Sequence, residues 1–198
     1  MRIEDVRSFR LPCLRTAAAR FARAERGATA VEFSLISIPF LMLIFGVIEL
    51  AMVFMVTTTL ETATEHASRQ IRTGAFQTSA ANTKADFKAL VCSGMTWLAD
   101  SCAADLHVDV RTFGSFGNLA VAQPQPGSTF NPVATCWSPG QPSDIVLVRT
   151  YYQWRLFTPL LDRALENMGG GSGKRLLSTA TAFRNEPYSD DPPGGAAC

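Results

Sequence analysis

From Gly27 to Val56 the chain reads GATAVEFSLISIPFLMLIFGVIELAMVFMV, and between Val31 and Ile48 only Glu32 carries a charge. At 1.5 Å of helical rise per residue, the step from Glu32 to Glu49 covers roughly 26 Å, close to the ~30 Å hydrocarbon thickness of a bilayer. The two acids therefore fall near opposite faces of a membrane. Seven arginines precede the run (Arg2, Arg7, Arg10, Arg15, Arg20, Arg23, Arg26) against three acids, a flank of +4. Such a flank holds its end of a span in the cytoplasm. A cleaved secretory signal has a shorter apolar core and an A-x-A-like site, whereas this run fades into TTTLETATEHAS. A helix that is apolar on every face belongs in a membrane or a large core. Pro39 does not argue against a span, because membrane helices tolerate a proline when neighbouring protein supplies the missing backbone partner. Gly46 is a smooth spot for close helix packing.

Charge divides along the same line. Of the 18 basic and 17 acidic residues, seven and three lie in the flank, which leaves the remainder at −3. Nothing strongly basic is left to grip nucleic acid, and the asymmetry belongs to membrane topology. With flank and span set aside, 198 residues allow one outer domain. The boundaries read as a basic cytoplasmic leader over 1–27, a transmembrane helix over 28–56, its extension as a stalk over 57–76, an outer α+β domain over 77–188 and a disordered tail over 189–198.

The span is expected to continue as helix beyond the bilayer. Leu60, Ala63, Ala67 and Ile71 share one face, with Glu61, Glu65, Arg69 and Arg72 elsewhere. Glu65 and Arg69 form a favourable i,i+4 pair, worth about 0.2–0.5 kcal/mol. Gly74 is the expected stop, and a helix from Ala30 to Thr73 would reach roughly 65 Å. Asn82 or Thr83 caps a short helix that runs to about Trp97. LHVDVRTF alternates Leu106, Val108 and Val110 with His107, Asp109 and Arg111, the period of a half-buried strand. A proline-rich surface connection follows (Gln123 to Gly127, then Asn131 to Asp144). DIVLVRTYYQW is a second, more central strand, being rich in β-branched and aromatic residues. Thr158 and Pro159 start a helix that the glycines from Gly169 to Gly173 stop. LLSTATAF is a third strand. The fold class is α+β: a long N-terminal helix packed on a small antiparallel sheet of about three strands.

Cys13 lies in the leader and stays reduced. Cys92, Cys102, Cys136 and Cys198 lie on the outer side, where oxidation is allowed and three complete pairings exist. Cys92–Cys102 is the preferred bridge, tying a helix end to the start of a strand, with Cys136–Cys198 left by elimination. Zinc with His107 as fourth ligand is the rival, but no CxxC or HxxxH spacing exists. GGGSGK at Gly169–Lys174 resembles a phosphate-binding loop, yet Met168 stands where the first glycine belongs and Arg175 where Ser or Thr should follow. It reads as a flexible turn. His66 and His107 have no nucleophile motif beside them and read as surface residues. Tyr151, Tyr152, Trp154 and Phe157 form the densest aromatic group, read as core first and as a subunit contact second.

The small-residue step before the acid narrows the function. Gly27, Ala28, Thr29, Ala30, Val31, Glu32 and Phe33 resemble the prepilin peptidase site of Flp-type pilins and pseudopilins, where cleavage follows a glycine and Glu-Phe or Glu-Tyr stands at mature positions five and six. A glycine lets an extended backbone enter a protease groove. A carboxylate one turn into the apolar segment can neutralise a new N-terminal ammonium, which would otherwise be buried at high cost. RGATAVEF, FGVIEL, LETATEHASRQIRTGAFQ, FKALVC…DSC…LHVDVRTFGSF, DIVLVRTYYQW and TAFRNEPY together resemble TadE-like proteins, minor pilin-like components of the tight-adherence (Tad/Flp) pilus machinery. The resemblance implies a structural or assembly role without catalysis, and no cofactor, metal or small-molecule substrate. Its partners would be the inner membrane, prepilin peptidase and other Tad/Flp pilus proteins, with no nucleic acid. Pro39, Gly46 and Glu49 would pack against partner helices in the span. The alternative from another class is a bitopic envelope receptor or binding module that never enters a pilus, with an uncut leader. An envelope enzyme is a distant third.

Overall fold

The computed structural model describes residues 25–119, 130–158, 161–169 and 171–188. Cys13, most of the leader, Gln123–Gly127, Pro159, Gly170 and the tail with Cys198 lie outside the described residues. Contacts divide the chain into two units, one ending at Phe45 and one beginning at Gly46. The first holds the N-terminal half of helix α1 (Glu25–Arg72). Its apolar side chains are exposed around the whole helix, from Val31 through Phe45, and Pro39 sits within it without ending it.

In the second unit α1 changes character. Val56, Leu60, Ala63, Ala67 and Ile71 are buried, a stripe one turn apart that faces the rest of the domain. The helix ends where expected, at Gly74, whose φ of +78° is a left-handed conformation that side chains resist. A Cβ there would lie 2.4 Å from the Tyr188 ring. Thr83 caps α2 (Lys84–Gly94): its hydroxyl accepts the Asp86 N–H while the Asp86 carboxylate accepts the Thr83 N–H at 2.9 Å. This reciprocal box satisfies two donors that the first turn would otherwise leave open. The helix stops at Gly94, short of the expected Trp97. A 3-10 turn (Thr96–Leu98) and α3 (Ala99–Asp105) follow, the latter not anticipated. Thr96 pivots the chain with a φ of +23°. The reversal brings Cys92 and Cys102 together as a disulfide.

Strands β1 (Leu106–Phe113), β2 (Ile145–Arg155) and β3 (Lys174–Arg184) form one antiparallel sheet in that order, with Val108 opposite Thr150 and Val148 opposite Thr181. One face carries Val108, Val110, Val146, Val148 and Leu177 into a single core with the α1 stripe and with Phe87 and Val91 of α2. In that core the hydroxyls of Thr64 and Thr150 meet at 2.7 Å, so each satisfies the other where water is excluded. The fold is the expected α+β arrangement.

Three local expectations need correction. The Asn131–Asp144 connection is not simply surface loop. Trp137 pairs with Val110 along the edge of β1, and just before the connection Phe130 packs on His107 and Tyr151 with ring centres 5.2 and 5.1 Å away. The supposedly solvated face of β1 is consequently covered there, and Asp109 is only 2 % exposed. Secondly, the ion pairs among the described residues are Arg72–Glu186, Arg111–Asp109, Arg149–Asp109 and Lys174–Asp105, without the expected Glu65–Arg69 pair. Both of those side chains are exposed, where holding two long side chains together gains little. Thirdly, the helix expected after Thr158 is a single turn, α4 (Asp162–Leu165). The helix begins four residues after Thr158, whose N–H and hydroxyl donate to Glu49, so this residue is not its cap.

Candidate functional site

The features that bear on function lie along α1. Gly27 has open space where a Cβ would stand, and Ala28, Glu32 and Phe33 are exposed, Phe33 at 72 %. The proposed processing residues are thus accessible on a helix, not buried in a fold. Polar groups within the apolar run are satisfied locally. Ser34 and Ser37 donate their hydroxyls to the carbonyls of Val31 and Ser34, at 2.9 and 3.1 Å. Thr57, Thr59 and Thr62 bond carbonyls four residues back, at 2.8, 2.8 and 2.9 Å. A helix that satisfies its own hydroxyls can leave hydrocarbon gradually, since no bare donor faces lipid. Among the described residues this is the one helix long and apolar enough to cross a membrane, by length and composition.

Glu49 is built differently from Glu32. It is 2 % exposed, and its Oε2 accepts from the Phe157 N–H, the Thr158 N–H and the Thr158 hydroxyl, each at 3.0 Å. Among the described residues, Oε1 has no hydrogen-bond partner. One turn earlier, Gly46 lies under Leu161: a Cβ on Gly46 would be 3.0 Å from the Leu161 Cδ1. Gly46 and Glu49, expected to meet partner helices, therefore contact the loop after β2 within the same chain. Pro39 is exposed.

Trp154, at the end of β2, packs edge-on against both Phe157 (5.1 Å) and Trp97 (6.3 Å). Of the aromatic group noted in the sequence, Tyr151, Tyr152 and Trp154 are buried, while Phe157 is 59 % exposed. The contact of Phe157 and Thr158 with Glu49 was not foreseen. Its one sequence trace is RLFTPLLDR, an apolar tip between arginines.

A second polar cluster ties the sheet together. Asp109 accepts from the Arg149 Nε at 3.1 Å, from the Arg111 Nε at 3.0 Å and from the Cys136 N–H at 2.7 Å. Burial pushes the Asp109 carboxyl up, but the Cys136 N–H and the two guanidinium groups outweigh it and hold the pKa below the ordinary range. Each donor is already committed within the fold, which gives this cluster a structural character. Cys136 is itself disulfide-bonded, and Cys198, matched to it by elimination, lies outside the described residues. The described residues include no group of three or more His, Cys, Asp or Glu placed to hold a metal ion.

Comparison with known families falls on the helix just described. Residues 27–69 match the family of TadE-like protein. Over that segment, the chain is similar to TadE-like protein. The match begins at Gly27 and ends at Arg69 in the last turn of α1, so it covers both the exposed apolar half and most of the buried stripe. No match was found among curated proteins or among solved structures.

Proposed function

We propose that this chain is a membrane-anchored, minor pilin-like component of Tad/Flp pilus assembly that acts by packing its span against the helices of other pilus subunits. The observation that carries the reading is the exposure of large apolar side chains around α1 from Val31 to Phe45, with Glu32 the one charge among them. Fully burying one such side chain is worth about 1.5–3 kcal/mol, so a helix of this kind requires lipid or neighbouring helices. In this reading residues 1–27 are a cytoplasmic leader and 28–56 the span in the bacterial inner membrane. Residues 57–76 are the stalk, 77–188 the periplasmic domain and 189–198 a disordered tail.

Prepilin peptidase would cut after Gly27, leaving Ala28 as the new N-terminus. Glu32 then lies four residues away, one helical turn, where side chains are neighbours. Its carboxylate neutralises the ammonium of its own chain or of an adjacent subunit. N-terminal sequencing of membrane-purified protein tests this. An Ala28 start in cells with the peptidase and a Met1 start in cells without it are expected. A Met1 start in both removes the processing claim and leaves the span standing.

A further inference from the structure

We infer that the outer domain rests on the bilayer, with the loop after β2 seated in the outer interfacial layer and the surface of the outer leaflet as its partner. The inference rests on reading the apolar run as a span, and it follows from two contacts. Gly46 belongs to the apolar run, and Leu161 touches it. Glu49 marks the end of that run, and its carboxylate grips the backbone of Phe157 and Thr158. A helix that carries Gly46 to the membrane boundary carries this loop there too, because the three Oε2 hydrogen bonds clamp the loop to the helix.

The side chains at that level suit such a place. Trp97 is 47 % exposed and, with Phe157, packs on Trp154. Among the described residues after Met55, the exposed large apolar side chains are Trp97, Phe116, Val133 and Phe157, so half of them gather here. Phe116 follows the far end of β1, which lies opposite the start of β2. On α1 itself, Leu50 and Phe54 remain exposed one and five residues past Glu49. They line an apolar groove of about 330 Å³ with Val53, Leu165 and Leu176. Tryptophan favours the headgroup level, and the exposed Arg155 beside the loop can meet lipid phosphates. Glu49 also gains a reason: at the boundary, it satisfies backbone N–H groups that lipid could not.

Tryptophan quenching in nanodiscs made with phosphatidylcholine brominated near the headgroup end of its acyl chains tests the inference on the full chain. Four single-tryptophan proteins are compared: native Trp97 alone, native Trp137 alone, Phe157→Trp and Phe45→Trp. Trp137 packs against Phe76 and Phe87 and serves as the remote control. Trp97 and Phe157→Trp are expected to lose emission to the bromines and to emit at shorter wavelength than in water, as Phe45→Trp does, while Trp137 keeps its emission. If Phe45→Trp is quenched but neither Trp97 nor Phe157→Trp is, the loop does not sit in lipid and the inference is overturned. A blue-shifted but unquenched signal then identifies protein as the cover, and a water-like signal identifies solvent. If Phe45→Trp also escapes quenching, the span itself is refuted. All four proteins carry Trp154→Phe, which keeps an aromatic ring between Trp97 and Phe157; the native Trp97 protein has no substitution within the loop itself, so a folding defect of Phe157→Trp is told apart by comparing the two.

Discussion

One oxygen of Glu49 accepts both the backbone N–H and the hydroxyl of Thr158, each at 3.0 Å, across 109 residues of sequence. A carboxylate at the end of the apolar run of α1 thereby serves as a fastening point for the loop after β2. A buried donor left without its acceptor costs about 1–3 kcal/mol. Glu49→Ala is expected to lower unfolding free energy by about 2–4 kcal/mol in denaturant titrations of the detergent-solubilised chain. Thr158→Val, which removes the hydroxyl and keeps the backbone donor, is expected to cost about 1 kcal/mol. Equal effects would mean that the two N–H contacts add nothing.

The Cys92–Cys102 bridge closes a loop with a sequence separation of 10. The chain-entropy model assigns a loop of that size about 2–3 kcal/mol. A Cys92→Ser, Cys102→Ser double variant should therefore melt several degrees below the parent in a thermal scan, and a reductant should lower the parent further than the variant. The absence of a shift would show that the helix reversal at Thr96 holds without the bond.

Acid sensitivity is expected to trace to Asp109. Its folded pKa lies below the unfolded value of about 3.9. The stability it contributes is present above that unfolded value and is lost as pH falls through the lower folded one. Unfolding free energy should decline on acidification below about pH 4. Asp109→Asn should be less stable at neutral pH by about 3–5 kcal/mol, the cost of removing one partner of a buried pair, and should lack this part of the acid decline. Denaturant titrations across pH 2–7 separate the two effects.

Gly74 and Gly171 both have positive φ, +78° and +68°. Only Gly74 has a neighbour in the way, the Tyr188 ring, whereas Gly171 faces open space. Alanine at either position pays the backbone strain of about 1–2 kcal/mol. Gly74→Ala should lose more than Gly171→Ala, and combining it with Tyr188→Ala should recover part of the difference. An equal loss at both sites would place the whole effect in the backbone.

Much of this architecture was legible because it is local. The stripe of Leu60, Ala63, Ala67 and Ile71, the stop at Gly74 and the alternation of Leu106, Val108 and Val110 each follow from a short period in the chain. The Cys92–Cys102 bond follows from a short separation. What could not be read depends on distant partners. Asp109 looks like an outward residue until Arg149 arrives from the neighbouring strand. Glu49 looks like a lipid-boundary acid until Thr158 folds back onto it. The α3 segment ADSCAAD is too short, and too mixed in character, for a helical period to stand out. For the accessible candidates Gly27, Ala28, Glu32 and Phe33, residue types and spacing carried the reading, and the fold adds their exposure.

The most direct measurement is a pair of reporter fusions placed after Tyr188 in intact cells, one carrying alkaline phosphatase and one a cytosol-dependent fluorescent protein. Active phosphatase with a dark fluorescent fusion is the result expected for one crossing with the N-terminus inside. A bright fluorescent fusion with inactive phosphatase would place the folded domain in the cytosol and contradict the account at its root.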